Sequence, residues 1–206
     1  MGQNKFNMGF TMRFIFRSAL KSAAALGLLL ASFQSNATGF EFRVADKAAE
    51  LFYLYKSSTF GYGGSDVGWG VMFNENDDVM LSGSLLVSGN GAGGKRALQF
   101  GVGVKGYVAD LNGADLQGGG LGIGGLVRYV FSSSTPFAIL VEAYTVPTIT
   151  TLGDAADFSE ARIAFELEVS PSARAYIGYR TVTLEDDGNN EYELDDSAHF
   201  GVRLSF

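Results

Sequence analysis

The sequence predicts an all-β protein, a transmembrane antiparallel up-and-down β-barrel of about ten strands, with eight strands as the alternative. Three observations predict it: an alternating carboxyl-terminal segment, a secretory leader and a sorting of loop lengths. In residues 199–206 apolar side chains alternate with polar or very small ones, and the apolar members are Phe200, Val202, Leu204 and Phe206. A last strand that stops on an aromatic residue is typical of outer-membrane barrels, although an edge strand of a soluble sandwich shows the same alternation.

Residues 1–37 have the order of a secretory signal peptide. Four basic residues (Lys5, Arg13, Arg17 and Lys21) precede an apolar run over 23–33, and small residues follow at 35–37. The apolar run falls well short of the roughly 20 residues that a membrane-spanning helix needs. We therefore expect export, cleavage before Thr38 and one mature domain, 38–206.

The mature chain is strongly acidic. Residues 38–206 contain 22 acidic and 11 basic residues, because four of the 15 basic residues lie in the leader, and the formal charge becomes −11. Nucleic-acid binding needs a surplus of lysine and arginine, so no nucleic-acid partner is expected. There is no cysteine, so no disulfide framework is expected either.

Alternating segments dominate the mature chain, and only 46–51 shows a trace of helical periodicity. Ten segments are predicted as strands: 39–45, 51–58, 66–73, 79–88, 98–108, 121–131, 137–146, 160–169, 174–184 and 199–206. Most of them approach the 9–11 residues of a tilted membrane strand.

The predicted loops alternate in length. Segments 110–120, 148–159 and 185–197 are long, whereas 132–136 and 170–173 are short. The glycine-rich 88–95 connection and the tight turn at 74–78 depart from this pattern. An even number of strands with both termini in the periplasm places short turns there and long loops outside.

The two faces of the predicted strands differ in charge. The face predicted to lie outward has no charged residue and comprises Leu98, Phe100, Val102, Val104, Ile123, Val127, Ile139, Val141, Ile163, Phe165, Leu167, Ile177 and Tyr179. In a soluble barrel the apolar face would instead pack inward. The leader, the loop sorting and Phe206 together favour the membrane barrel.

The opposite face carries charges of both signs among glycines. We expect a polar network in the lumen formed by Lys105, Arg128, Glu142, Arg162, Glu166, Arg180 and Arg203, with Glu168 on the same face. In one interpretation Arg128, Arg180, Glu142 and Glu166 mainly pair with one another and fill the interior. In the other, the same residues line a narrow path for small solutes.

Two further motifs are interpreted structurally. Residues 101–106 match G-x-G-x-x-G, but they lie within a strand pattern without the following helix that a dinucleotide fingerprint requires. His199, the only histidine, shares a face with Ser197, yet both are predicted to face the lumen rather than lipid. We therefore expect no catalytic residue, no cofactor and no enzymatic activity.

The acidic segment 185–196 lacks the ligand order of an EF-hand. As an external loop it would lie beside lipopolysaccharide and the divalent cations that bridge its phosphates. We expect at most loose association of Ca²⁺ or Mg²⁺ there, and no defined metal site.

Four short stretches together resemble the YfaZ-type outer-membrane proteins. They are Gly103–Tyr107, Glu142–Pro147, Gly178–Arg180 and Gly201–Phe206, and their order along the chain carries the resemblance. The resemblance implies an outer-membrane β-barrel of Gram-negative bacteria, and it implies no activity.

These observations predict a structural barrel or a narrow small-solute channel in the outer membrane. Its expected partners are outer-membrane lipid, lipopolysaccharide and, through the carboxyl-terminal strand, the barrel-assembly machinery. The alternatives are a barrel that binds partners through its exposed loops and a lipid-modifying enzyme.

Overall fold

The computed structural model describes residues 39–57, 65–90, 97–131 and 136–206. Eleven strands are present in these ranges: β1 Gly39–Ala45, β2 Ala48–Ser57, β3 Ser65–Asn74, β4 Val79–Asn90, β5 Leu98–Leu111, β6 Leu116–Phe131, β7 Phe137–Val146, β8 Thr151–Gly153, β9 Ala155–Ser170, β10 Ala173–Asp186 and β11 Glu191–Leu204. A short 3-10 turn, Thr148–Thr150, precedes β8. The predicted signal peptide, 1–37, lies outside the described residues.

Ten of the strands form a closed antiparallel barrel. Successive strands pair along the chain except that β7 pairs directly with β9, and β11 returns to pair with β1. The three-residue β8 pairs with Gly118–Gly120 of β6, beyond the part of β6 that pairs with β7. The all-β class and the prediction of ten strands are confirmed.

The closure brings both ends of the described chain together, because Phe40 pairs with Leu204 in the β1–β11 register. We call this rim the terminal end and the opposite rim the turn end. Four-residue connections join β3 to β4, β5 to β6 and β10 to β11 at the turn end. Left-handed backbone conformations at Asp77, Asp115 and Asn189 reverse the chain in these connections.

The loop prediction was wrong in its lengths. The segments 110–120, 148–159 and 185–197 consist largely of strand, and the connection between β10 and β11 is only 187–190. Residues 46–51, which showed a trace of helical periodicity, form a two-residue bend and the start of β2. The predicted connections 88–95 and 132–136 lie mostly outside the described residues, as does Ser58. Among the described residues no helix is long and apolar enough to cross a membrane.

The polarity of the barrel wall inverts along the axis in several strands, as β9 and β10 show. In the terminal half of β9, Ile163, Phe165 and Leu167 point outward and Glu166 points inward; nearer the turn end, Phe158 is buried inside while Ser159 is exposed outside. Strand β10 repeats this inversion, with Ile177 outside in one half and Leu184 inside in the other. Strands β9 and β10 therefore keep their pleat but exchange their apolar and polar faces partway along, whereas β3 remains apolar outside as far as Phe73.

An apolar belt surrounds the terminal half. All thirteen residues that the sequence predicted to face outward are exposed on the barrel wall. On β9 the outward apolar stretch runs from Ala161 to Val169, about 26 Å along the strand at roughly 3.3 Å per residue. A strand tilt of about 40° converts this length to about 20 Å of height, close to the roughly 25 Å apolar band of outer-membrane barrels.

Aromatic side chains gather on the outer wall near the terminal end. The rings of Phe131 and Phe137 stack with centroids 4.7 Å apart, and Tyr129 meets Phe131 edge-on at 4.8 Å. Across the closing seam, Phe206 lies 6.0 Å from Phe40. Aromatic girdles of this kind flank the apolar band of outer-membrane barrels.

Candidate functional site

The inward face of the barrel holds a network of ionised side chains, which we call the charge network. It contains six carboxylates and six cationic groups and is therefore formally neutral. Its members are Glu41, Arg43, Glu50, Lys105, Arg128, Glu142, Glu160, Arg162, Glu166, Arg180, Asp195 and Arg203. Strand pairing fixes their positions, because alternate residues of each strand point inward.

Glu41 on β1 is the most shared acceptor. Arg43 donates to it over 2.9 Å, and Arg203 donates to its other oxygen over 2.8 Å. The Arg162 guanidinium approaches to 3.2 Å, and the Tyr176 hydroxyl donates over 2.7 Å. One buried carboxylate thus joins three strands besides its own, and several donors offset the free energy of removing it from water.

Gly201 makes room for part of this arrangement. It pairs with Tyr176 across β10 and β11, and a Cβ atom at this position would overlap the Tyr176 ring. The Arg162 guanidinium lies over the same ring, 4.7 Å from its centroid. A glycine here therefore lets an aromatic ring lie flat inside the barrel between charged neighbours.

A second group of contacts is centred on Arg180, whose side chain is 1 % exposed and bonds to two carboxylates. Its Nη1 donates to Glu50 over 2.7 Å and its Nε to Asp195 over 2.8 Å. Asp195 faces inward beside Leu194 because the β10–β11 register shifts at Val182. Arg43 also bonds to Glu50, which links this group to Glu41.

Lys105 and Glu160 form a third buried contact, 2.6 Å apart. The Tyr107 hydroxyl donates to the same Glu160 oxygen over 2.8 Å. The Lys105 ammonium also lies between 5.2 and 5.7 Å from the ring centroids of Phe52, Tyr107 and Tyr144. Ionic, hydrogen-bonding and cation–π contacts therefore all act on one lysine.

An apolar core fills the interior at the turn end, beyond the charge network. The Tyr107 ring marks the boundary, because its hydroxyl contacts Glu160 while its ring lies 4.2 Å from that of Phe158. This turn-end core comprises Met72, Met80, Tyr107, Ala109, Leu111, Leu116, Tyr144, Val146, Ala155, Phe158, Val182, Leu184 and Leu194. Charged and apolar layers thus fill successive levels of the interior.

The seven residues that the sequence placed in a lumen network all lie on the inward face and carry at least one ionic contact. Their pairing differs in part from the expected one. Arg128 bonds to Glu166 over 2.6 Å as expected, but Arg180 pairs with Glu50 and Asp195, and Glu142 approaches Arg162 at 3.7 Å. Glu168 lies nearer the rim beside Arg174, at 3.8 Å.

Five members of the network did not appear among the predicted residues. Glu50 fell in the segment with a trace of helical periodicity, Asp195 in a segment interpreted as loop, and Glu160 at a segment boundary. The other two are Glu41 and Arg43. For Glu41 and Arg43 the sequence contains a usable signal, because the two residues are two positions apart and therefore lie on one face of β1. In the structure this face continues the inward face of the paired β11.

His199 and Ser197 do not form a nucleophile–base pair. The Ser197 hydroxyl donates to Asp195, and neither ring nitrogen of His199 has a hydrogen-bond partner among the described residues. The G-x-G-x-x-G stretch lies within β5. The acidic segment 185–196 forms the turn-end part of the β10–β11 hairpin rather than a long loop. The described residues contain no group of three or more potential metal ligands.

Comparison with known proteins identifies one family. A family model described as YfaZ precursor matches residues 18–206, which include every strand of the barrel. No curated protein and no solved structure matches the chain.

Proposed function

Because the chain belongs to the YfaZ precursor family, we propose that it is an exported outer-membrane barrel of a Gram-negative bacterium with a structural role and an interior closed to ion flow. The observation that carries the proposal is the filled interior: a neutral charge network lies directly beneath an apolar core. A conducting path would have to cross both layers.

The outer wall supports insertion into a bilayer. A belt of exposed apolar side chains surrounds the terminal half, and aromatic rings gather near its edge. Burying such a surface in lipid is favourable, since apolar area removed from water contributes about 25 cal/mol per Å². The partners of this surface are outer-membrane lipid and, towards the turn end, lipopolysaccharide.

The closing strand supports recognition by the barrel-assembly machinery. Phe200, Leu204 and Phe206 are exposed on the outer wall of β11 and the residues after it, and Val202 is half-buried beside them. β11 is also the strand that completes the ring with β1. The strand that carries these residues is therefore one of the two on which closure depends.

The turn-end core favours the closed barrel over a narrow channel. Phe158, Val182 and Leu184 are at most 1 % exposed. Ions cross an apolar constriction only with a large loss of hydration free energy. The proposal includes no catalytic activity, because Ser197 and His199 do not contact each other through a hydrogen bond.

Conductance across a planar bilayer tests the proposal. We expect the mature protein to insert without steady current steps, and the Arg128→Ala, Glu142→Ala double variant to behave in the same way. Steady conductance of the wild type that changes in the double variant would instead establish a narrow channel with these residues on its path.

Insertion has to be demonstrated independently of current. Folded barrels can be followed by their altered gel mobility without heating and by protection from added protease. A Phe158→Ala, Leu184→Ala variant serves as the matched control, since it removes two large side chains of the turn-end core while leaving the belt intact. More frequent current events in this variant than in the wild type are the expected result.

A further inference from the structure

The interior is accessible to solvent at the terminal end. Side-chain exposure there is 12 % for Arg128, 25 % for Arg203 and 36 % for Arg174. In contrast, Arg162 and Arg180 are at most 2 % exposed. With the turn-end core closing the other rim, the charged interior meets solvent at the terminal end, and three arginines lie at this mouth.

These three arginines lie close to one another. Arg128 bonds to Glu166, which lies two residues along β9 from Glu168, the register partner of Arg174. Arg174 and Arg203 are direct partners in the β10–β11 register. Three guanidinium groups therefore converge at one mouth, where repulsion between like charges has to be offset by anionic groups.

The local carboxylates are already engaged by arginines, and the contact of Arg174 is the loosest among the three arginines. Glu166 accepts from Arg128, and Glu41 is shared among three arginines. Arg174 has only a 3.8 Å ion pair with Glu168, itself partly exposed. Behind the mouth, Nε and Nη2 of the buried Arg162 have no hydrogen-bond partner among the described residues.

Donors remain at this end after the ion pairs have formed. Among the described residues, the three arginines are paired with three carboxylates, Glu166, Glu168 and Glu41. Each guanidinium carries five N–H donors, so these carboxylates do not use all of them.

We propose that Arg128, Arg174 and Arg203 form a binding site for a phosphate-type oxyanion at the terminal-end mouth of the barrel. Guanidinium groups suit this chemistry, because their planar donors bind phosphate oxygens bidentately. The phosphate belongs either to a soluble compound that reaches the mouth from solvent or to a phospholipid headgroup at the adjacent rim. This site is additional to the proposed structural role and does not depend on whether the barrel conducts ions.

Isothermal titration calorimetry on the mature protein, purified in a nonionic detergent at constant low ionic strength, tests the site. One arm uses inorganic phosphate and the other short-chain dihexanoyl phosphatidylglycerol. We expect saturable binding with a stoichiometry of one in at least one arm, and binding about tenfold weaker in Arg174→Gln. Saturation with phosphate indicates a soluble ligand, whereas saturation with the lipid alone indicates a headgroup.

Lys47→Gln is the matched control, because it removes one positive charge from an exposed side chain at the turn end. It is expected to leave binding unchanged. Absence of saturable heat in both arms would overturn the site, as would equal weakening by Lys47→Gln and Arg174→Gln. Conductance is recorded separately, so a conducting barrel would contradict the structural role without affecting this result.

Discussion

At the residue scale, the interior shows how buried charges are tolerated in a small barrel. Each ionised group of the charge network has an opposite charge within 4 Å, and several carboxylates are shared. Removing an ion from water costs several kcal/mol, so an unpaired member would be strongly destabilising. Arginine suits this role because one guanidinium can bridge two carboxylates, as Arg180 does between Glu50 and Asp195.

Glu160→Gln should lower the free energy of unfolding by about 3–5 kcal/mol, because it leaves the buried Lys105 ammonium without its carboxylate. Urea titration of the protein in lipid vesicles measures the change. Glu75→Gln breaks the exposed Lys47–Glu75 pair and should cost less than about 1 kcal/mol. Equal effects of the two substitutions would show that Glu160 does not stabilise a buried cation.

Asp186, at the turn between β10 and β11, is expected to make a pH-dependent contribution to the free energy of unfolding. The Asn190 side chain and the backbone N–H groups of Asn190 and Gly188 donate to the Asp186 carboxylate, and these bonds lower its pKa below the ordinary value of 3.8. A lowered pKa means that the contribution to stability is complete above the ordinary value and is lost as the pH falls through the lowered one.

Carboxyl-carbon NMR of the wild type and of Asn190→Ala measures this effect. The Asp186 pKa should rise towards its ordinary value in the variant, since the first of the lowering hydrogen bonds is removed. An unchanged titration curve would mean that Asn190 does not hold the carboxylate in solution.

At the scale of single elements, the inversion of wall polarity explains which strands the sequence predicted well. Strand β7 was predicted with its observed bounds, Phe137–Val146. In β9 the apolar residues change from odd positions, such as Phe165, to an even one, Phe158, so the period of two is interrupted. The interrupted half was interpreted as loop, and the same applies to the start of β11 and the end of β5.

Alternation of apolar and polar residues is also lost where glycines are consecutive and where a bulge shifts the register, so further strand residues could not be predicted from it. The first part of β6 contains three consecutive glycines, Gly118–Gly120, which show no alternation although they pair with β5 and β8. In β11, Leu194 and Asp195 both point inward because of the register shift. Outward and inward faces could thus be predicted within the belt, whereas pairing partners required the register of the closed ring.

Phe165→Arg should cost about 2–4 kcal/mol in lipid vesicles, as expected for arginine at mid-membrane depth. Thr183→Arg, on the outer wall of β10 beyond the belt, should cost at most about 1 kcal/mol. Unfolding in urea after reconstitution measures both. A neutral Phe165→Arg variant would contradict the assignment of this face to lipid.

At the scale of the whole molecule, closure of the ring depends on the contact between the first and last strands. Phe206 follows β11 and packs edge-on against Phe40 of β1, which in turn lies 5.3 Å from Tyr53 of β2. The residues after β11 are therefore attached to β1 directly and to β2 through Phe40.

Deletion of Phe206 should reduce the folded fraction in the outer membrane severalfold, because it removes the seam contact and the aromatic end of the closing strand. The fraction with altered gel mobility in isolated membranes measures the effect. Phe73→Ala, which truncates another exposed aromatic residue away from the seam, should assemble normally. Normal assembly after the deletion would show that the terminal aromatic residue is not needed for assembly.

The charges outside the interior are distributed unevenly between the two rims. Among the described residues, fourteen carboxylates lie towards the turn end, accompanied there by Lys47 alone. They are Asp46, Glu75, Asp77, Asp78, Asp110, Asp115, Asp154, Asp157, Glu185, Asp186, Asp187, Glu191, Glu193 and Asp196. The formal charge of the mature chain therefore resides at one rim.

This distribution makes insertion directional in the proposed membrane. To slip back through the bilayer, the barrel would have to carry the acidic rim through hydrocarbon, and each carboxylate would lose its hydration on the way. The barrier is kinetic and persists even when the net stability is small. The acidic rim therefore opposes withdrawal of the barrel through the bilayer. It holds the barrel in one orientation for as long as the strands remain paired.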